Sequence, residues 1–411
     1  MATGILFDKE RDYVKGVIRY GALPVDSLPE SSNAVLIKEN QSNIPDKTFI
    51  WGGLLSGYTI DSTGSLELIS LYMIDTLKKF GYTPLPATRD RKPVISDLDD
   101  TMRWFGIDSE IRDGLFFIRE SRVYPSSPQE KCSPIGVYNV CEGTIPGDMY
   151  SFDDADIIFT PSKFCRDIYI ENGVDVDVIV WNHGIDPAVF KYVPRNSDGV
   201  FTFTFVGGGY GSDLRKNQRN MIRAFIAADL PKNDVQFIYK APGGDVIQAV
   251  RKEFNQENIK YIDVPYSRFQ IRDLYNTTDC IVLVSRAEGF GMPPLEAMAT
   301  GCCAMVTNYS GMKDYADPDD TYLVNVKKMV PVEWIVDSGV WAEPDFDHMV
   351  EMYRYAYYNR DETIERGKRA AKRVHAHWKW TDTTEKVLPY IDRYIGISKT
   401  RLRGVIEQKN D

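Results

Sequence analysis

Short β-branched and aromatic runs alternate with amphipathic stretches along most of the chain from about residue 48. The first clear unit is TFIWGG, followed by a segment from Ser65 to Phe80 in which apolar residues recur at helical spacing. Gly81 comes directly after this segment and is a natural stop signal for a helix. Alternation of this kind is typical of parallel strands joined by crossover helices. It predicts an α/β protein with doubly wound, Rossmann-like sheets.

Further strands are predicted in both halves of the chain. They are PIGVYNVCE (134–142), DIIFT (156–160), VDVIVW (176–181), FTFTFV (201–206), VQFIYKA (235–241), IKYIDV (259–264), CIVLVS (280–285) and CAMVT (303–307). The polar segment 190–199 carries Pro and Gly and separates the two series. After about residue 344 the pattern is wholly helical, whereas residues 1–45 show no clean periodicity. We therefore expect one domain over 1–190, a second over 191–380, and a C-terminal helix over 381–411 that returns to the first domain.

Composition agrees with this organisation and excludes several classes of protein. The chain has 411 residues, and at roughly 150 residues per domain it has room for two to three domains. Its formal net charge is −10, which disfavours a protein whose whole surface binds nucleic acid or anionic lipid. The six cysteines form no C-x-x-C pair, so they are interpreted as reduced thiols of a cytoplasmic protein. No apolar run approaches the ~18 residues of a membrane-spanning helix.

The most informative motif is EGFGMPPLEAMATG (288–301), which directly follows the predicted strand CIVLVS. Gly289 and Gly291 allow the backbone to turn tightly and to approach a ligand closely. The prolines that follow suit the first turn of a helix, whose free N–H groups then form an anion site. Glu288 and Glu296 lie on either side of this turn, and carboxylates are suitable acceptors for sugar hydroxyls. The motif therefore predicts a pocket for a ligand with both anionic and hydroxyl groups.

A second motif, GGGYGSDLRKN (207–217), follows the predicted strand FTFTFV. Arg215 and Lys216 provide two cations that can be fixed beside an anionic ligand. The glycines do not match a dinucleotide-binding fingerprint in either possible register. The sequence also contains no G-x-S-x-G elbow and no G-x-x-x-x-G-K-[ST] loop. Dehydrogenase, hydrolase and P-loop functions therefore lack support.

The pattern E-G-F-G-x-P-x-L-E-A-M-A-x-G resembles the E-x7-E signature of family 4 retaining glycosyltransferases of the GT-B fold, and R-K-N followed by MIRAF (221–225) resembles a second family motif. The resemblance implies that Glu296 binds the ribose of a nucleotide-sugar donor and that Glu288 holds hydroxyls of the transferred sugar. It also implies that Arg215 and Lys216 stabilise the diphosphate. Further donor-site residues on this interpretation are Gly289, Phe290, Gly291 and Met292 at the sugar and diphosphate, Gly208 and Gly209 in the glycine loop, Val264 near the base, and Lys240 at a strand end.

The first half carries three landmarks in the order that the family has them. They are a strand end at GVYNVCEGTIP (136–146), a T-P-S turn at 160–162, and an H-G-I-D turn at 183–186. The resemblance places Gly53, Glu142 and His183 on the acceptor side of the cleft. Glu142 is the nearest counterpart of the histidine or aspartate that many relatives have near the reacting sugar, and His183 is expected to have a structural role.

The resemblance implies a retaining, metal-independent transfer of a hexose-type sugar from a UDP- or GDP-sugar to a hydroxyl of a glycan, lipid or protein. The first domain would bind the acceptor and the second domain the donor. Two alternatives stay open: a glycosyltransferase that modifies DNA bases, and a non-catalytic protein with the same fold. The basic face of residues 366–373 is the one segment that favours contact with a membrane surface or nucleic acid, although such faces are more often solvated helix surface.

Overall fold

The computed structural model describes residues 45–52, 65–87, 114–120, 134–145, 155–208, 213–242, 245–332 and 339–410. Within these ranges the chain forms two six-stranded sheets and one two-stranded sheet, with helices packed between and around them. All strands of both large sheets are parallel to their neighbours. The predicted α/β class, with two doubly wound sheets, is confirmed. The segment without clean periodicity lies outside the described residues up to residue 44.

The first sheet has the strand order β2-β1-β3-β4-β5-β6. Its elements are β1 (Thr48–Gly52), α1 (Ser65–Lys79), β2 (Thr83–Ala87), β3 (Phe117–Glu120), β4 (Ile135–Tyr138), β5 (Ile157–Thr160), α2 (Lys163–Glu171) and β6 (Asp177–Val180). The strands and helices predicted in this half are all present, although the strands are shorter. Gly81 has φ 79°, the left-handed conformation that ends a helix, so the predicted stop at the end of α1 is confirmed.

Strands β2 and β3 were not predicted from the sequence. β2 has the sequence TPLPA, and proline cannot donate a hydrogen bond to a neighbouring strand. Among the strands that the structure describes, β2 lies at the edge of the sheet with β1 as its only neighbour, so the missing N–H groups of Pro84 and Pro86 are tolerated there. The two prolines therefore disfavour a strand when the sequence is considered locally, whereas the edge position of β2 allows one.

The T-P-S turn has a local structural explanation. Thr160 ends β5, and Ser162 is the N-cap of α2, where its Oγ accepts a hydrogen bond of 3.2 Å from the backbone N–H of Cys165. A serine in this position satisfies one of the unpaired N–H groups of the first helical turn. The turn thus connects β5 to α2 at the carboxyl edge of the first sheet.

The second sheet has the strand order β12-β11-β10-β7-β8-β9. Its elements are β7 (Phe201–Val206), α3 (Asp213–Lys216), α4 (Gln218–Ala227), β8 (Val235–Lys240), α5 (Asp245–Glu253), β9 (Ile259–Ile262), α6 (Arg268–Asn276), β10 (Cys280–Leu283), α7 (Met292–Ala299), β11 (Cys303–Thr307), a 3-10 helix (Ser310–Asp314) and β12 (Thr321–Val324). The five strands predicted here are confirmed, and β12 is an addition. The described cysteines are buried and free.

The C-terminal part contains a hairpin and then helices only. The elements are β13 (Val326–Pro331), β14 (Val340–Pro344), α8 (Phe346–Tyr358), α9 (Arg360–His377), α10 (Trp380–Glu385) and α11 (Leu388–Asn410). The prediction of a wholly helical segment after about residue 344 is confirmed, whereas the antiparallel pair β13–β14 was not predicted. Trp380 in α10 and Ile391 in α11 belong to the same buried cluster as Phe49 of β1. The last helices therefore pack against the first sheet.

The basic face of residues 366–373 is bound to the loop before β12. Arg366 donates a 2.7 Å hydrogen bond to the carbonyl of Pro318, and Arg369 donates one of 2.7 Å to the carbonyl of Asp319. Arg373 pairs with both carboxylate oxygens of the buried Asp320 at 2.7 and 2.8 Å. These arginines stabilise the fold of the second half, and a contact of this face with a membrane or nucleic acid stays a prediction. In the part of the chain that the structure describes, no helix combines the length and apolar character needed to cross a bilayer.

Candidate active site

The candidate site lies where the central strands of the second sheet end. β7, β8 and β10 are neighbours, and their carboxyl ends lead to Gly207, to Lys240 and to the loop that contains Glu288. Because carboxyl ends of parallel strands meet at one edge of a sheet, residues from distant parts of the sequence are brought together here. The structure thus places the two sequence motifs beside each other.

The loop between β10 and α7 has the tight backbone that its glycines predict. Gly291 is the N-cap of α7 with φ 82°, and a Cβ there would lie 2.9 Å from Cγ of Met312. A Cβ at Gly289 would lie only 2.1 Å from Cγ1 of Val140 in the first half of the chain. Pro293 stands in the first turn of α7, where its missing N–H costs no helical hydrogen bond. The two glycines are therefore required by close packing, and Gly289 lies directly against the first half.

Glu288 is the centre of a buried ionic cluster. Its Oε2 lies 3.0 Å from Nη1 of Arg215, and its Oε1 lies 3.9 Å from Nζ of Lys216. The Oγ of Ser285 donates a hydrogen bond of 2.9 Å to the same Oε1. Burial by itself would raise the pKa of Glu288, but Arg215, Lys216 and the Ser285 hydroxyl together hold it below its ordinary value. Glu288 is therefore an ionised carboxylate that positions both cations of the R-K motif.

Arg215 also reaches across to the first half of the chain. Its Nη2 lies 3.0 Å from Oε1 of Glu142, and its Nη1 donates a hydrogen bond of 2.8 Å to the carbonyl of Ala287. Burial works to lower the pKa of Arg215, but Glu288 and Glu142 raise it above its ordinary value. The sequence predicted roles for Arg215, Glu142 and Glu288, but it did not predict that Glu142 and Arg215 are in direct contact.

Glu296 has a partner that the sequence did not reveal. Its carboxylate forms an ion pair with the guanidinium of Arg268, which begins α6, and Nη1 of Arg268 lies 3.3 Å from Oε2. Glu296 is 3% exposed. Burial works to lower the pKa of Arg268, but Glu296 raises it above its ordinary value. Burial also raises the pKa of Glu296 above its ordinary value, and Arg268 opposes this rise. Glu296, the residue predicted to bind the ribose, is thus already paired with Arg268. Arg268 belongs to α6, the helix next to the expected base site.

Arg268 also contacts two aromatic rings from the first half of the chain. Its guanidinium carbon lies 4.7 Å from the ring centre of Phe190 and 5.9 Å from that of Tyr72 in α1. The ring of Tyr72 is stacked on Trp380 at 5.2 Å. No motif in the sequence marks Arg268, because its partners Glu296, Phe190 and Tyr72 come from three separate segments of the chain.

His183 lies at the contact between the two halves. Its Nε2 is 2.5 Å from the hydroxyl of Tyr138, and its ring centre is 4.8 Å from that of Phe290 in the glycine loop. Burial lowers the pKa of His183 to about 3, so the ring is neutral at physiological pH. The expectation of a structural role stays a prediction, and the packing on Phe290 is consistent with it.

The remaining predicted residues differ in their surroundings. Lys240 is 4% exposed, and its Nζ lies 5.2 Å from the ring centre of Tyr266. Val264 is 53% exposed. Gly208 is exposed, and a Cβ there would meet no atom within 4 Å. Gly53 and Gly209 lie outside the described residues.

The hairpin of β13 and β14 contacts the acceptor side of the site. The indole Nε1 of Trp341 donates a hydrogen bond of 2.7 Å to the carbonyl of Glu142. The backbone N–H of Val340 donates one of 2.8 Å to Oγ1 of Thr144. The hairpin therefore holds the backbone that carries Glu142 against the second half. Among the described residues, no group of three or more His, Cys, Asp or Glu side chains is arranged to hold a metal ion.

Comparison with known proteins extends this picture. The model of the family described as Glycosyl transferases group 1 matches residues 215–330, a range that contains Arg215, Lys216, Glu288 and Glu296. A comparison with curated proteins finds no match in sequence.

Several solved structures share the whole fold at low sequence identity. Sucrose-phosphate synthase (tll1590) from Thermosynechococcus elongatus has a TM-score of 0.65 and 13% identity, with 85% of this chain and all of that chain covered. Alr3699/HepE from Anabaena, solved in complex with UDP-glucose, has a TM-score of 0.61 and 12% identity, with 84% and 99% covered. The α,α-trehalose 6-phosphate synthase from Burkholderia multivorans has a TM-score of 0.57 and 11% identity, with 87% and 98% covered. The protein therefore has the GT-B fold, and residues 215–330 in its second half are similar to the glycosyl transferases group 1 family.

Proposed function

We propose that the protein is a retaining glycosyltransferase that moves a hexose-type sugar from a nucleotide-diphosphate-sugar, UDP- or GDP-linked, to an acceptor hydroxyl. The family match and the fold support a nucleotide-sugar-dependent transferase. The acceptor is a hydroxyl on a glycan, lipid or protein, and the reaction takes place in the cytoplasm. The observation that carries the proposal is the cluster of Arg215, Lys216 and Glu288 beside the N-terminus of α7.

The cluster has the features that departure of a diphosphate requires. Negative charge develops on the leaving phosphates, and fixed cations with free helical N–H groups stabilise it without reorganising at the moment of reaction. Arg215 and Lys216 are held in place by Glu288, and α7 begins at Met292 a few residues further on. Charge neutralisation is thus assigned to side chains and amides, and the proposal includes no metal.

The acceptor is expected to enter from the side of the first sheet. Glu142 provides the carboxylate on that side, and it is half-exposed. Attack of the acceptor hydroxyl on the face from which the diphosphate departs gives retention, as the family resemblance implies. Glu296 binds the ribose in this proposal, either beside Arg268 or after Arg268 has moved.

A thermal-shift screen with UDP-, GDP- and ADP-sugars tests the function. A donor at 100 times its Kd should stabilise the folded protein by about 2.7 kcal/mol, which is measured as a rise in Tm. The stabilising donor is then incubated with the protein, and release of free nucleoside diphosphate is followed. Stabilisation with hydrolysis supports the proposal, whereas stabilisation without hydrolysis would indicate the non-catalytic alternative. If no nucleotide sugar raises Tm, both the proposed function and the non-catalytic alternative are contradicted.

Lys240 is expected to make donor binding depend on pH. Burial lowers its pKa to about 8, so in the free protein it loses its proton as the pH rises through that value. The protonated form attracts a diphosphate, and donor affinity should therefore fall several-fold between pH 7 and pH 9.5. The Lys240→Met variant should bind more weakly at pH 7 and lose this dependence, while Lys240→Arg keeps the charge and serves as the control. Donor affinity is measured by calorimetry at several pH values. If it falls equally with pH in the wild type and in Lys240→Met, this role of Lys240 is ruled out.

A further inference from the structure

Glu142 and Glu288 together neutralise the cations that the donor diphosphate needs. Arg215 contacts both carboxylates at 3.0 Å, and Lys216 lies 3.9 Å from Glu288. The four ionic side chains of this cluster therefore have no net charge. A diphosphate with two or three negative charges would gain little from a neutral site, so one carboxylate has to leave when the donor binds.

The two carboxylates differ in how firmly they are held. The side chain of Glu288 is 8% exposed, and it is bound by Arg215, Lys216 and Ser285. The side chain of Glu142 is 42% exposed, and its carboxylate has the ion pair with Arg215 as its one described partner. Removing Glu288 from its cations would leave a buried charge without a partner, which is costly. Glu142 can turn into water at the cleft surface at little cost.

The backbone of Glu142 need not move for this exchange. Trp341 binds its carbonyl at 2.7 Å, and Val340 binds the hydroxyl of Thr144 at 2.8 Å, so the hairpin keeps this segment in place. Rotation of the side chain alone is enough to release Nη2 of Arg215. The same rotation returns the carboxylate to Arg215 when the diphosphate has left.

We propose that Glu142 is an anionic placeholder for the donor diphosphate at Arg215. It occupies Nη2 of Arg215 in the empty site, is displaced by phosphate oxygens when the donor binds, and competes with the nucleoside diphosphate product after transfer. Glu142 acts here as a positioning residue through Arg215. This inference rests on the proposed function, because it takes the ligand of Arg215 to be a diphosphate.

The test compares the wild type with Glu142→Gln in calorimetric titrations of inorganic pyrophosphate and of UDP. Pyrophosphate reports on the diphosphate site without any contribution from the base or the sugar. We expect Glu142→Gln to bind pyrophosphate about two- to fivefold more tightly, in keeping with the strength of a partly exposed ion pair. In nucleotide-sugar hydrolysis, the variant should be inhibited more strongly by the product UDP by the same factor. A merely structural role for Glu142 would move neither constant in this direction.

Glu253→Gln is the matched control. Glu253 also forms ion pairs with arginines, Arg219 and Arg223, but on the outer surface of the second half, at α4 and α5. The Glu253→Gln substitution removes one negative charge, as Glu142→Gln does, and should leave pyrophosphate binding unchanged. Unchanged or weaker binding in Glu142→Gln, equal tightening in Glu253→Gln, or no pyrophosphate binding by any of the proteins would overturn the inference.

The outcomes separate this inference from the proposed function. Tighter pyrophosphate binding in Glu142→Gln without hydrolysis of any nucleotide sugar would leave the placeholder intact and refute the transferase. If the wild type hydrolyses a nucleotide sugar but Glu142→Gln does not bind pyrophosphate more tightly, the placeholder role is refuted and the proposed function is not.

Discussion

Replacement of Glu288 by glutamine is expected to lower the turnover of the nucleotide-sugar donor by about 10²- to 10³-fold, the usual effect of removing one fixed charge-stabilising group. The carboxylate holds Arg215 at 3.0 Å and Lys216 at 3.9 Å, and the family resemblance also assigns it to the transferred sugar. Without its charge the two cations lose their common anchor, so they no longer meet the departing phosphates in a fixed arrangement. The measurement is kcat/KM for donor hydrolysis, with donor affinity determined separately.

The control for this prediction is Glu362→Gln. Glu362 pairs with Arg366 at 2.9 Å and with Arg369 at 3.1 Å, away from the candidate site. Its variant should keep wild-type turnover. Wild-type turnover in Glu288→Gln itself would refute the assignment of this cluster to catalysis.

Replacement of Arg268 by methionine is expected to lower the free energy of unfolding by about 3 to 5 kcal/mol, the cost of leaving one partner of a buried ion pair alone. Glu296 is 3% exposed, and Arg268 is its described ion-pair partner. The double variant Arg268→Met/Glu296→Leu should recover most of this loss, because it removes both charges and leaves apolar side chains of similar size. Urea denaturation of the three proteins measures these differences.

An exposed ion pair provides the comparison. Arg223 pairs with Glu253 and its side chain is 50% exposed, so Arg223→Met should change the free energy of unfolding by at most about 1 kcal/mol. A similarly small change in Arg268→Met would show that the buried pair is not essential for stability. Since the resemblance assigns the ribose to Glu296, the stable double variant should still bind donor more weakly, which separates folding from binding.

The sequence was sufficient wherever the signal is local. The strands FTFTFV and CAMVT have the predicted bounds in the structure, because runs of β-branched, aromatic and apolar residues between turn signals are a local pattern. The serine before α2 and the proline in the first turn of α7 occupy the positions that the chemistry of helix ends favours. The motif 288–301 predicted a tight turn into a helix, and the structure contains it.

Local sequence patterns were insufficient where the position of a segment in the fold determines whether it forms a strand and what it contacts. β2 contains two prolines, which a strand tolerates at the edge position that β2 has among the described strands. The hairpin of β13 and β14 has an exposed first strand, so its sequence lacks the apolar run that marks a buried strand. Its contact with Glu142 could not be inferred from either segment alone.

The sequence by itself determined the α/β class, the two series of parallel strands, and the residue types at the candidate site, because each depends on short stretches of chain. Only the tertiary structure decided which charges face each other. The pairs of Arg215 with Glu142 and of Arg268 with Glu296 join segments that are far apart in sequence. Such pairs form because parallel strands bring their carboxyl ends to one edge and because the two halves then pack together, and neither effect leaves a trace in local spacing.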